Sequence, residues 1–408
     1  MLLKQLLRNL IQIGELTLID NKGRTHVFKG VRSGPSVSVR VKDAATARRI
    51  FFHPNLAIGE AFMDGKLIIE KGDVYELLEL CMMNMEGGHG DHWPQRLMSQ
   101  LRRWSRRIAQ HNPVGRAQNN VAHHYDLSDT LYDLFLEQDR QYSCAYYMSP
   151  NDSLERAQEN KKRHIAAKLL LEPGQKVLDI GSGWGGMGLY LAKAAGIDLT
   201  GVTLSVEQYK VAQDRAAKAG LADHVRFKLQ DYRHESGKYD RIVSVGMFEH
   251  VGVGHYREFF EKVRDLLDED GVALLHTIGR ADGPGATNPW LAKYIFPGGY
   301  SPALSEIVPI IERAGLFITD IEVLRLHYAT TLRDWRRRFN ENRDAVREIY
   351  DERFCRMWDF YLAGCETSFR YGGQLNFQIQ LARKQDAVPL TRDYITEWET
   401  QHMGTVAV

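Results

Sequence analysis

The central part of the chain alternates apolar runs of strand length with stretches of helical periodicity. The strand-like runs are Lys176–Asp179, Asp198–Thr203, Val225–Leu229, Tyr239–Val245 and Val272–Thr277. Helices are expected to begin near Trp184, Val206, Tyr256 and Ser305. This alternation predicts an α/β fold, a parallel sheet with helices on both faces. Two further runs, Ile318–Arg325 and Leu375–Arg383, are expected to close the sheet, with a helical segment from Leu332 to Phe369 between them.

The first predicted strand leads directly into a glycine-rich turn. The segment Val177–Gly186 reads VLDIGSGWGG, a pattern typical of strand, tight turn and helix start. Glycines let the backbone approach a ligand, and a helix N-terminus offers N–H donors to it. The spacing also fits a dinucleotide fingerprint, which requires an acid about 20 residues later. The second strand instead ends Thr203-Leu204-Ser205, and the acid, Asp179, precedes the glycines. This arrangement favours S-adenosylmethionine over NAD.

Two positions after the later strands are candidates for holding the nucleoside. Asp231 and Tyr232 follow the third strand, where a carboxylate accepts a hydrogen bond from an adenine amino group and an aromatic ring stacks on it. Gln208 has two interpretations. Ser205-x-x-Gln208 is a helix capping box that needs no ligand, but Gln208 is equally suited to contact the ribose hydroxyls.

Ionisable residues lie at the carboxyl ends of the last two strands of the alternating region. Glu249 comes after Val243–Phe248, and His276 lies within Leu274–Ile278. Ligands of open α/β sheets bind beyond the carboxyl ends of the strands, so both residues are candidates for acid–base chemistry. A lone histidine on a strand is more commonly a hydrogen-bonded core residue, whereas a carboxylate is rarely buried without a partner. His123, His124 and Asp126 suggest a metal, but no ligand set with known spacing completes them, so no metal site is predicted.

The N-terminal part of the chain has a different pattern. The turn Asp20–Gly23 follows the extended run Thr17–Ile19, Val37–Val41 alternates apolar and polar residues, a helix is expected from Ala44, and Lys66–Glu70 is a further strand. These features predict a small α+β domain over residues 1–85. We expect a basic linker helix over 86–120 and a catalytic domain over 121–408. The amphipathic start, with Leu3, Leu7 and Leu10, either covers its own domain or lies on a membrane.

Composition excludes several classes of protein. The chain has 53 Lys+Arg against 52 Asp+Glu, which rules out a histone-like nucleic-acid binder, so no nucleic-acid partner is predicted. Four cysteines without paired short spacing form neither a disulfide framework nor a zinc site. No apolar run approaches the ~20 residues of a membrane span, and no secretory signal is recognisable, so a cytoplasmic protein is expected.

The near-neutral total conceals an uneven distribution of charge. Residues 1–116 carry 18 Lys+Arg against 11 Asp+Glu, and the remainder carries 35 against 41. Within the first part, residues 96–116 contain six arginines and no acid, with Leu97, Leu101, Trp104 and Ile108 on one face. Such a segment is typical of an interfacial membrane helix or of a solvated linker. A basic front end joined to an acidic core favours peripheral association with an anionic membrane surface.

Several motifs, taken together and in order, resemble the cyclopropane-fatty-acid synthase family, which includes the mycolic acid cyclopropane synthases. They lie between His123 and Lys384, and the glycine loop is one of them. The others are His124–Ser128, Gln141–Tyr147, Gly201–Ser205, Phe248–Gly252, Leu275–Ile278, Phe296–Gly299 and His327-Tyr328. The resemblance implies a class I S-adenosylmethionine-dependent methyltransferase with a Rossmann-like seven-stranded sheet. The additional N-terminal domain is similar to the bacterial phospholipid-acting branch.

The resemblance also implies a reaction. Family members transfer a methyl group from S-adenosylmethionine to the cis double bond of an unsaturated phospholipid acyl chain, and a bound bicarbonate takes the proton as the ring closes. The bicarbonate holders correspond to the side chains of Glu249, His276 and Tyr328 and to the backbone of Cys144 and Ile278. Cys365 matches a cysteine described as active, although methyl transfer from a sulfonium needs no covalent enzyme intermediate. The resemblance further implies a homodimer.

The cofactor contacts carry over onto four short stretches. The matching positions are Tyr142, Ser143, Asp179, Gly181, Ser182, Gly183, Gly185, Thr203, Leu204, Ser205, Gln208, Asp231 and Tyr232. Many relatives have cysteine where this chain has Ser182. Three other functions stay open at this point: a related lipid C-methyltransferase giving methyl-branched or methylene chains, a methyltransferase acting on small amines, and a lipid-binding module whose loop has lost its ligand.

Overall fold

The computed structural model describes residues 2–85 and 128–403. Contacts divide these residues into two compact units. The first contains residues 2–85, 286–297 and 329–374, and the second contains residues 128–285, 298–328 and 375–403. The predicted boundaries at residues 85 and 120 enclose a stretch outside the described residues, so they stay a prediction. The basic segment 96–116 and the His123–Asp126 cluster lie outside them too.

The first unit contains a four-stranded sheet in the order β2-β1-β3-β4. Its strands are β1 (Ile13–Ile19), β2 (Thr25–Lys29), β3 (Arg32–Val41) and β4 (Leu67–Lys71). β1 pairs antiparallel with β2, as the turn at Asp20–Gly23 predicted, and parallel with β3. The alternating Val37, Val39 and Val41 are all buried, which confirms the period-2 pattern.

Helices cover this sheet and complete the unit. They are α1 (Leu2–Leu10), α2 (Ala44–Phe52), α3 (Pro54–Met63), α4 (Val74–Met85), α10 (Pro289–Tyr294), α13 (Arg343–Ile349), α14 (Glu352–Tyr371) and most of α12 (His327–Glu341). Leu3, Leu7 and Leu10 of α1 pack against the buried core of the unit. The helix therefore covers its own domain, one of the two interpretations the sequence left open. The predicted helical segment 332–369 is confirmed as α12, α13 and α14.

The second unit contains a seven-stranded sheet in the order β10-β11-β9-β8-β5-β6-β7. Its strands are β5 (Lys176–Ile180), β6 (Asp198–Thr203), β7 (Val225–Leu229), β8 (Tyr239–Val245), β9 (Leu267–Arg280), β10 (Phe317–Val323) and β11 (Gln374–Ala382). The strands from β9 through β8, β5 and β6 to β7 are parallel to their neighbours, and β10 is antiparallel to β11. All seven predicted strands are confirmed, although β9 is longer than expected.

Both faces of this sheet are buried, as the long apolar runs predict. Leu178 and Ile242 belong to one apolar cluster, and the next residues along the same strands, Val177 and Val243, belong to another. Successive side chains point to opposite faces of a strand, so the two clusters are the cores on the two sides of the sheet. The helices of this unit are α5 (Asp129–Phe135), α6 (Leu154–Leu169), α7 (Gly186–Ala195), α8 (Val206–Lys218), α9 (Tyr256–Leu266), α11 (Leu304–Arg313) and α15 (Asp393–Gln401).

No helix among residues 2–85 and 128–403 is long and apolar enough to cross a membrane.

Candidate functional site

The glycine loop lies at the carboxyl end of β5, where the chain turns into α7. Gly181 has φ +87°, and a Cβ there would lie 2.7 Å from the Cβ of Met247. The N–H groups of Gly181 and Ser182 donate to the carbonyl of Val202 on β6, at 2.9 and 3.0 Å. The loop is thus held by backbone contacts, and only glycine combines the positive φ with this close approach.

A cavity opens over the loop at the carboxyl ends of β5, β6, β7 and β8. It is the edge of the sheet at which ligands of open α/β folds bind. Eleven of the thirteen predicted cofactor residues line it: Tyr142, Ser143, Asp179, Gly181, Ser182, Gly183, Thr203, Leu204, Gln208, Asp231 and Tyr232. The remainder of the wall includes Asp139, Gln141, Met247 and His250, which sequence reasoning did not select.

The other two predicted cofactor residues have structural positions next to the cavity. Gly185 precedes α7 with φ +85°, and a Cβ there would come within 2.7 Å of the Phe227 ring. Ser205 is the N-cap of α8, and its hydroxyl accepts a hydrogen bond from the Gln208 N–H. Gly185 and Ser205 therefore stabilise the turns next to the cavity and do not line the cavity itself.

Gln208 fulfils part of each interpretation that the sequence allowed. Its N–H completes the cap on Ser205, but its side chain does not return to the Ser205 N–H as a full capping box requires. That N–H donates instead to Thr203 Oγ1, whose hydroxyl donates in turn to Gln208 Oε1 at 3.2 Å. The carboxamide is held against the cavity wall, where it is available to a polar ligand.

Asp179 is the most unusual charged group of the cavity. It is 1% exposed, and its Oδ2 has no hydrogen-bond partner; the hydroxyl of Ser182 is also buried without one. Burial raises the pKa of Asp179 to about 7, against a smaller opposing effect of Lys161. A buried carboxylate oxygen without a donor fits a ligand that brings a positive charge or N–H groups.

Asp231 and Tyr232 lie together at the end of β7. Asp231 accepts two hydrogen bonds from the Arg233 guanidinium, at 2.9 and 2.7 Å. Burial opposes ionisation of Asp231, but these bonds keep its pKa below the usual range. Arg233 therefore orients a charged carboxylate, and each carboxylate oxygen has further lone pairs for a ligand amino group.

Glu249 lies in a short 3₁₀ helix, Phe248–His250, just after β8. Its Oε1 accepts a 2.6 Å hydrogen bond from the Ile278 N–H of β9, whereas its Oε2 is buried without a partner. Burial raises the pKa of Glu249 to about 7, which hydrogen bonding partly counteracts. The residues on both sides of Glu249, among them Met247 and His250, line the cavity. Glu249 thus provides a proton acceptor poised near neutral pH at the cavity edge.

His276 is hydrogen-bonded in the interior of the sheet. It is 1% exposed, its Nε2 lies 3.0 Å from Asn376 Nδ2, and its Nδ1 lies 3.1 Å from Gln378 Nε2. Burial places its pKa well below the usual range, and nearby cations lower it further. It is therefore a neutral, fully partnered ring, as the structural interpretation of a lone strand histidine predicts.

The remaining predicted catalytic residues have differing surroundings. Cys144 is fully buried, its thiol donates to the Ala145 carbonyl, and burial raises its pKa. Tyr328 is buried near the start of α12. The Ile278 N–H is engaged by Glu249, so an anion held there shares or replaces that bond. Cys365 belongs to α14 in the first unit, and burial raises the pKa of its thiol to about 12. Such a thiol is a poor nucleophile at neutral pH.

Known proteins share this architecture and these motifs. Residues 113–379 match the model of the mycolic acid cyclopropane synthetase family. The chain is 37% identical over 340 residues to the cyclopropane-fatty-acyl-phospholipid synthase of Escherichia coli K12, covering 83% of this chain and 86% of the relative. It is 35% identical over 347 residues to a probable fatty acid methyltransferase of Pseudomonas putida, covering 83% and 85%.

The chain belongs to the mycolic acid cyclopropane synthetase family. Among solved structures, the mycolic acid cyclopropane synthase CmaA1 complexed with SAH and CTAB superposes with a TM-score of 0.62 at 31% identity, covering 67% of this chain and 99% of that one. As a family member, the protein is an S-adenosylmethionine-dependent methyltransferase. The unpartnered Oδ2 of Asp179, the glycine cradle and the Asp231–Arg233 pair fit this cofactor.

Sequence reasoning missed the helix that supports the cavity wall. α6 is rich in charged residues, yet Gln158, Lys161 and Lys162 are all buried. Gln158 donates to the carbonyls of Gln141 and Ser143, and Lys161 donates to the side chains of the same two residues at 2.7 and 2.8 Å. The only local signal is their i, i+3 and i+4 spacing, which places them on one face.

A second missed group anchors the glycine loop. Asp139 pairs with Lys162 at 2.5 Å and with Arg215, and Arg215 also donates to the Trp184 carbonyl at 3.0 Å. A Cβ at Gly186 would lie 2.4 Å from Asp139 Oδ1, so the carboxylate packs directly on the start of α7. Burial opposes ionisation of Asp139, but the two cations keep its pKa below the usual range. Nothing in the local sequence connects residues 139, 162 and 215.

No group of three or more His, Cys, Asp or Glu residues within 2–85 and 128–403 is arranged to hold a metal ion.

Proposed function

We propose that this enzyme methylates the cis double bond of an unsaturated phospholipid acyl chain and closes it to a cyclopropane ring. The observation that carries the proposal is the Glu249 carboxylate, which is buried next to the cofactor cavity with one oxygen anchored and the other unpartnered. The name of the Escherichia coli relative supports the same reaction.

The proposed chemistry requires a proton acceptor in a dry site. When bound, S-adenosylmethionine supplies an electrophilic methyl group. An alkene is a weak nucleophile, so holding it close to that methyl provides much of the acceleration. The resulting carbocation loses a proton as the ring closes, and water has to be excluded until it does. Glu249, with a pKa of about 7, is suited to accept that proton or to hold the group that accepts it.

Bicarbonate is part of the proposal as the proton acceptor. The free Oε2 of Glu249 is available to accept a hydrogen bond from its O–H, and the Ile278 N–H is available once Glu249 shares it. If bicarbonate is the base, activity falls in carbon-dioxide-depleted buffer and returns when bicarbonate is added. Equal activity in both buffers would assign the proton transfer to Glu249 itself.

Vesicle turnover with lipid mass spectrometry tests the main proposal. Purified enzyme, S-adenosylmethionine and vesicles of monounsaturated phospholipid are expected to give products heavier by one CH₂ that resist hydrogenation as cyclopropanes do. Methylene-bearing chains of the same mass, which hydrogenation reduces, would replace ring closure by the related C-methyl transfer, which the name of the Pseudomonas putida relative suggests. A saturated methyl branch would also need a hydride donor, so it is tested by adding a reduced nicotinamide cofactor to the same mixture. Methylation of free amines without lipid turnover would overturn the lipid substrate altogether, and failure to bind the cofactor would favour a lipid-binding module.

Peripheral membrane binding is the second part of the proposal. It is supported by the 18 basic against 11 acidic residues of positions 1–116. Binding to anionic vesicles is expected to weaken as salt rises. Replacing Arg102, Arg103, Arg106 and Arg107 together by Gln is expected to weaken it further, by roughly 1 kcal/mol for each residue near the surface. If neither salt nor the four substitutions changes vesicle binding, the uneven distribution of charge has another role.

We also propose a homodimer, which sedimentation velocity tests directly.

A further inference from the structure

A layer of long polar side chains is buried within the second unit. We call Lys168, His276, Asn376, Gln378 and Gln380 the polar layer; each is 1% exposed. Asn376, Gln378 and Gln380 alternate along β11, so they share one face of a strand where apolar residues are usual. Buried amides are costly unless every one of their polar atoms is paired. Such a layer therefore needs a reason beyond packing.

The orientation of the Gln378 carboxamide is determined by Lys168. Lys168 Nζ donates to Gln378 Oε1 at 2.8 Å, and it also pairs with the Glu322 carboxylate. An ammonium has only donors, so the carboxamide must present its oxygen to Lys168 and its NH₂ group to the other side. On that other side, Gln378 Nε2 lies 3.1 Å from His276 Nδ1.

This orientation decides which nitrogen of His276 carries the proton. Nδ1 accepts from the Gln378 NH₂ group, so it has no hydrogen of its own. A neutral imidazole carries one ring proton, which therefore lies on Nε2. Asn376 Nδ2 lies 3.0 Å from that nitrogen. Two N–H donors cannot face each other, so the Asn376 carboxamide, whose orientation no ammonium among the described contacts determines, has to turn its oxygen toward the ring proton. Three basic groups, Lys161, Lys168 and His164, lower the pKa of His276. One acidic group, Glu322, raises it. Burial and the three basic groups prevail, so the ring stays neutral.

We propose that Lys168 and Gln378 are positioning residues that hold His276 as the neutral Nε2–H tautomer, a hydrogen-bond donor that takes no proton during the reaction. The role of His276 in the reaction rests on the proposed function. In that function Glu249 or the anion bound to it receives the proton, and His276 contributes a hydrogen-bond donor without changing its own protonation. Glu322 supports the arrangement, because it accepts from Lys168 and lies 2.7 Å from His164 Nε2. Burial lowers the pKa of Lys168, and the Glu322 carboxylate opposes that effect and holds the ammonium group in place.

Nitrogen-15 NMR of the full-length enzyme labelled at histidine tests the tautomer directly. The signal of His276 is assigned as the one lost in His276→Asn. In the wild type we expect a protonated Nε2 and an unprotonated Nδ1 whose shifts do not change between pH 6 and pH 9. A protonated Nδ1, or a signal that titrates in this range, would overturn the proposal. The shifts are measured on the wild-type enzyme, and only the assignment uses a variant of the polar layer.

Variants then test the two positioning residues. Gln378→Glu removes the NH₂ donor, so the ring proton is expected to move to Nδ1. Lys168→Met frees the carboxamide to turn and should give a mixture of tautomers, whereas Lys168→Arg retains donors and should restore the wild-type signal. Glu399→Gln is the control, because Glu399 contacts His164 and not His276. An unchanged His276 signal in folded Gln378→Glu would contradict the assignment.

Kinetics separate this proposal from the proposed function. Gln378→Glu is expected to lower kcat by at least about tenfold with little change in KM for S-adenosylmethionine, because a wrong tautomer misplaces a hydrogen rather than the cofactor. Its pH profile should acquire a further limb as His276 begins to titrate. If the wild-type enzyme has the Nε2–H tautomer but forms no ring-containing product, the proposed function is wrong and the positioning role is not. If the wild-type enzyme forms the product but carries the His276 proton on Nδ1, the positioning role is wrong and the proposed function is not.

Discussion

The cofactor cavity and the polar layer belong to the same α/β unit but are specified in different ways. Glycines and backbone N–H groups from one short stretch, Gly181–Gly186, define the floor of the cavity. Side chains from α6, β9 and β11, which are separated by 100 residues or more from one element to the next, define the polar layer. The floor of the cavity depends on the local backbone conformation, so it tolerates substitutions of neighbouring side chains. The polar layer depends on every one of its side-chain hydrogen bonds. The comparison teaches that backbone-built and side-chain-built parts of one site fail differently when a residue is changed.

The largest expected effect comes from Glu249, a buried side chain next to the cavity that belongs to neither region. Glu249→Gln removes the proton acceptor but keeps the size of the side chain, so kcat on lipid vesicles should fall at least about 100-fold. The dissociation constant for S-adenosylmethionine, measured by calorimetry, should be unchanged because Glu249 does not line the cavity. Glu269→Gln is the matched control, since that carboxylate is exposed and pairs only with Lys384 among the described contacts. Full activity in Glu249→Gln would remove Glu249 from the reaction.

The backbone-built part is expected to fail through binding instead. Gly181→Ala combines a positive φ with a Cβ only 2.7 Å from Met247, so it displaces the loop and should weaken cofactor binding about tenfold or more. Gly220→Ala has a similar φ, +68°, but meets nothing within 4 Å and lies away from the cavity. Both should lose roughly 1–2 kcal/mol of unfolding free energy from strain. Equal cofactor affinity in the two variants would show that the close approach at Gly181 is unimportant.

The pH dependence of cofactor binding tests the charge of the cavity. The pKa of Asp179 is about 7 in the folded protein against an ordinary 3.8, so the carboxyl group is protonated in the free protein below pH 7. A cationic ligand needs the carboxylate, so affinity should decrease as pH falls below 7, by up to about tenfold per pH unit, and level off above 7. Calorimetry in buffers of different ionisation enthalpy should detect proton release below pH 7. Asp179→Asn should remove both effects; if they persist, another group is responsible.

The same pKa shift has the opposite consequence for stability without cofactor. Because the folded protein prefers the protonated carboxyl, Asp179 contributes to stability at acidic pH, and this contribution is lost as pH rises from about 4 to about 7. Urea unfolding of Asp179→Asn should show a weaker dependence on pH in that window than the wild type does.

The smallest expected effect concerns two neighbouring lysines of α6. Lys161 is fully buried, burial lowers its pKa to about 7, and it bonds to neutral groups. Lys161→Met removes a desolvated charge as well as two hydrogen bonds, so the free energy of unfolding should change by less than about 1 kcal/mol. Lys162→Met leaves Arg215 as the one cation paired with Asp139 among the described contacts, beside the neutral Gln141 amide, and should cost about 1 kcal/mol or more. A larger loss in Lys161→Met than in Lys162→Met would reverse this ranking.

The residues themselves show how far prediction from sequence reached. All seven strands of the large sheet and the hairpin at Asp20–Gly23 were predicted, because each is encoded by a local pattern of apolar period, glycine or turn residues. Part of the cofactor wall, including Tyr142 and Ser143, was predicted only through the resemblance to the family. Ser205 and Gly185 were predicted to contact the cofactor, but they stabilise the turns next to the cavity. In the sequence, a serine that caps a helix or a glycine in a close-packed turn cannot be distinguished from one that contacts a ligand. α6 was not predicted as part of the site, because its charged residues read as a solvated surface.

The sequence alone determined the fold class, the family and the place of the glycine loop, because these depend on periodicity and on motifs within a few residues. Only the tertiary structure decided which ionisable groups are buried and what they contact. Glu249 and Asp179 each have one buried oxygen without a partner, and His276 lies between two amides. Protonation and tautomer depend on desolvation and on donors contributed by distant elements. These are properties of the assembled interior, and no local stretch of the chain contains them.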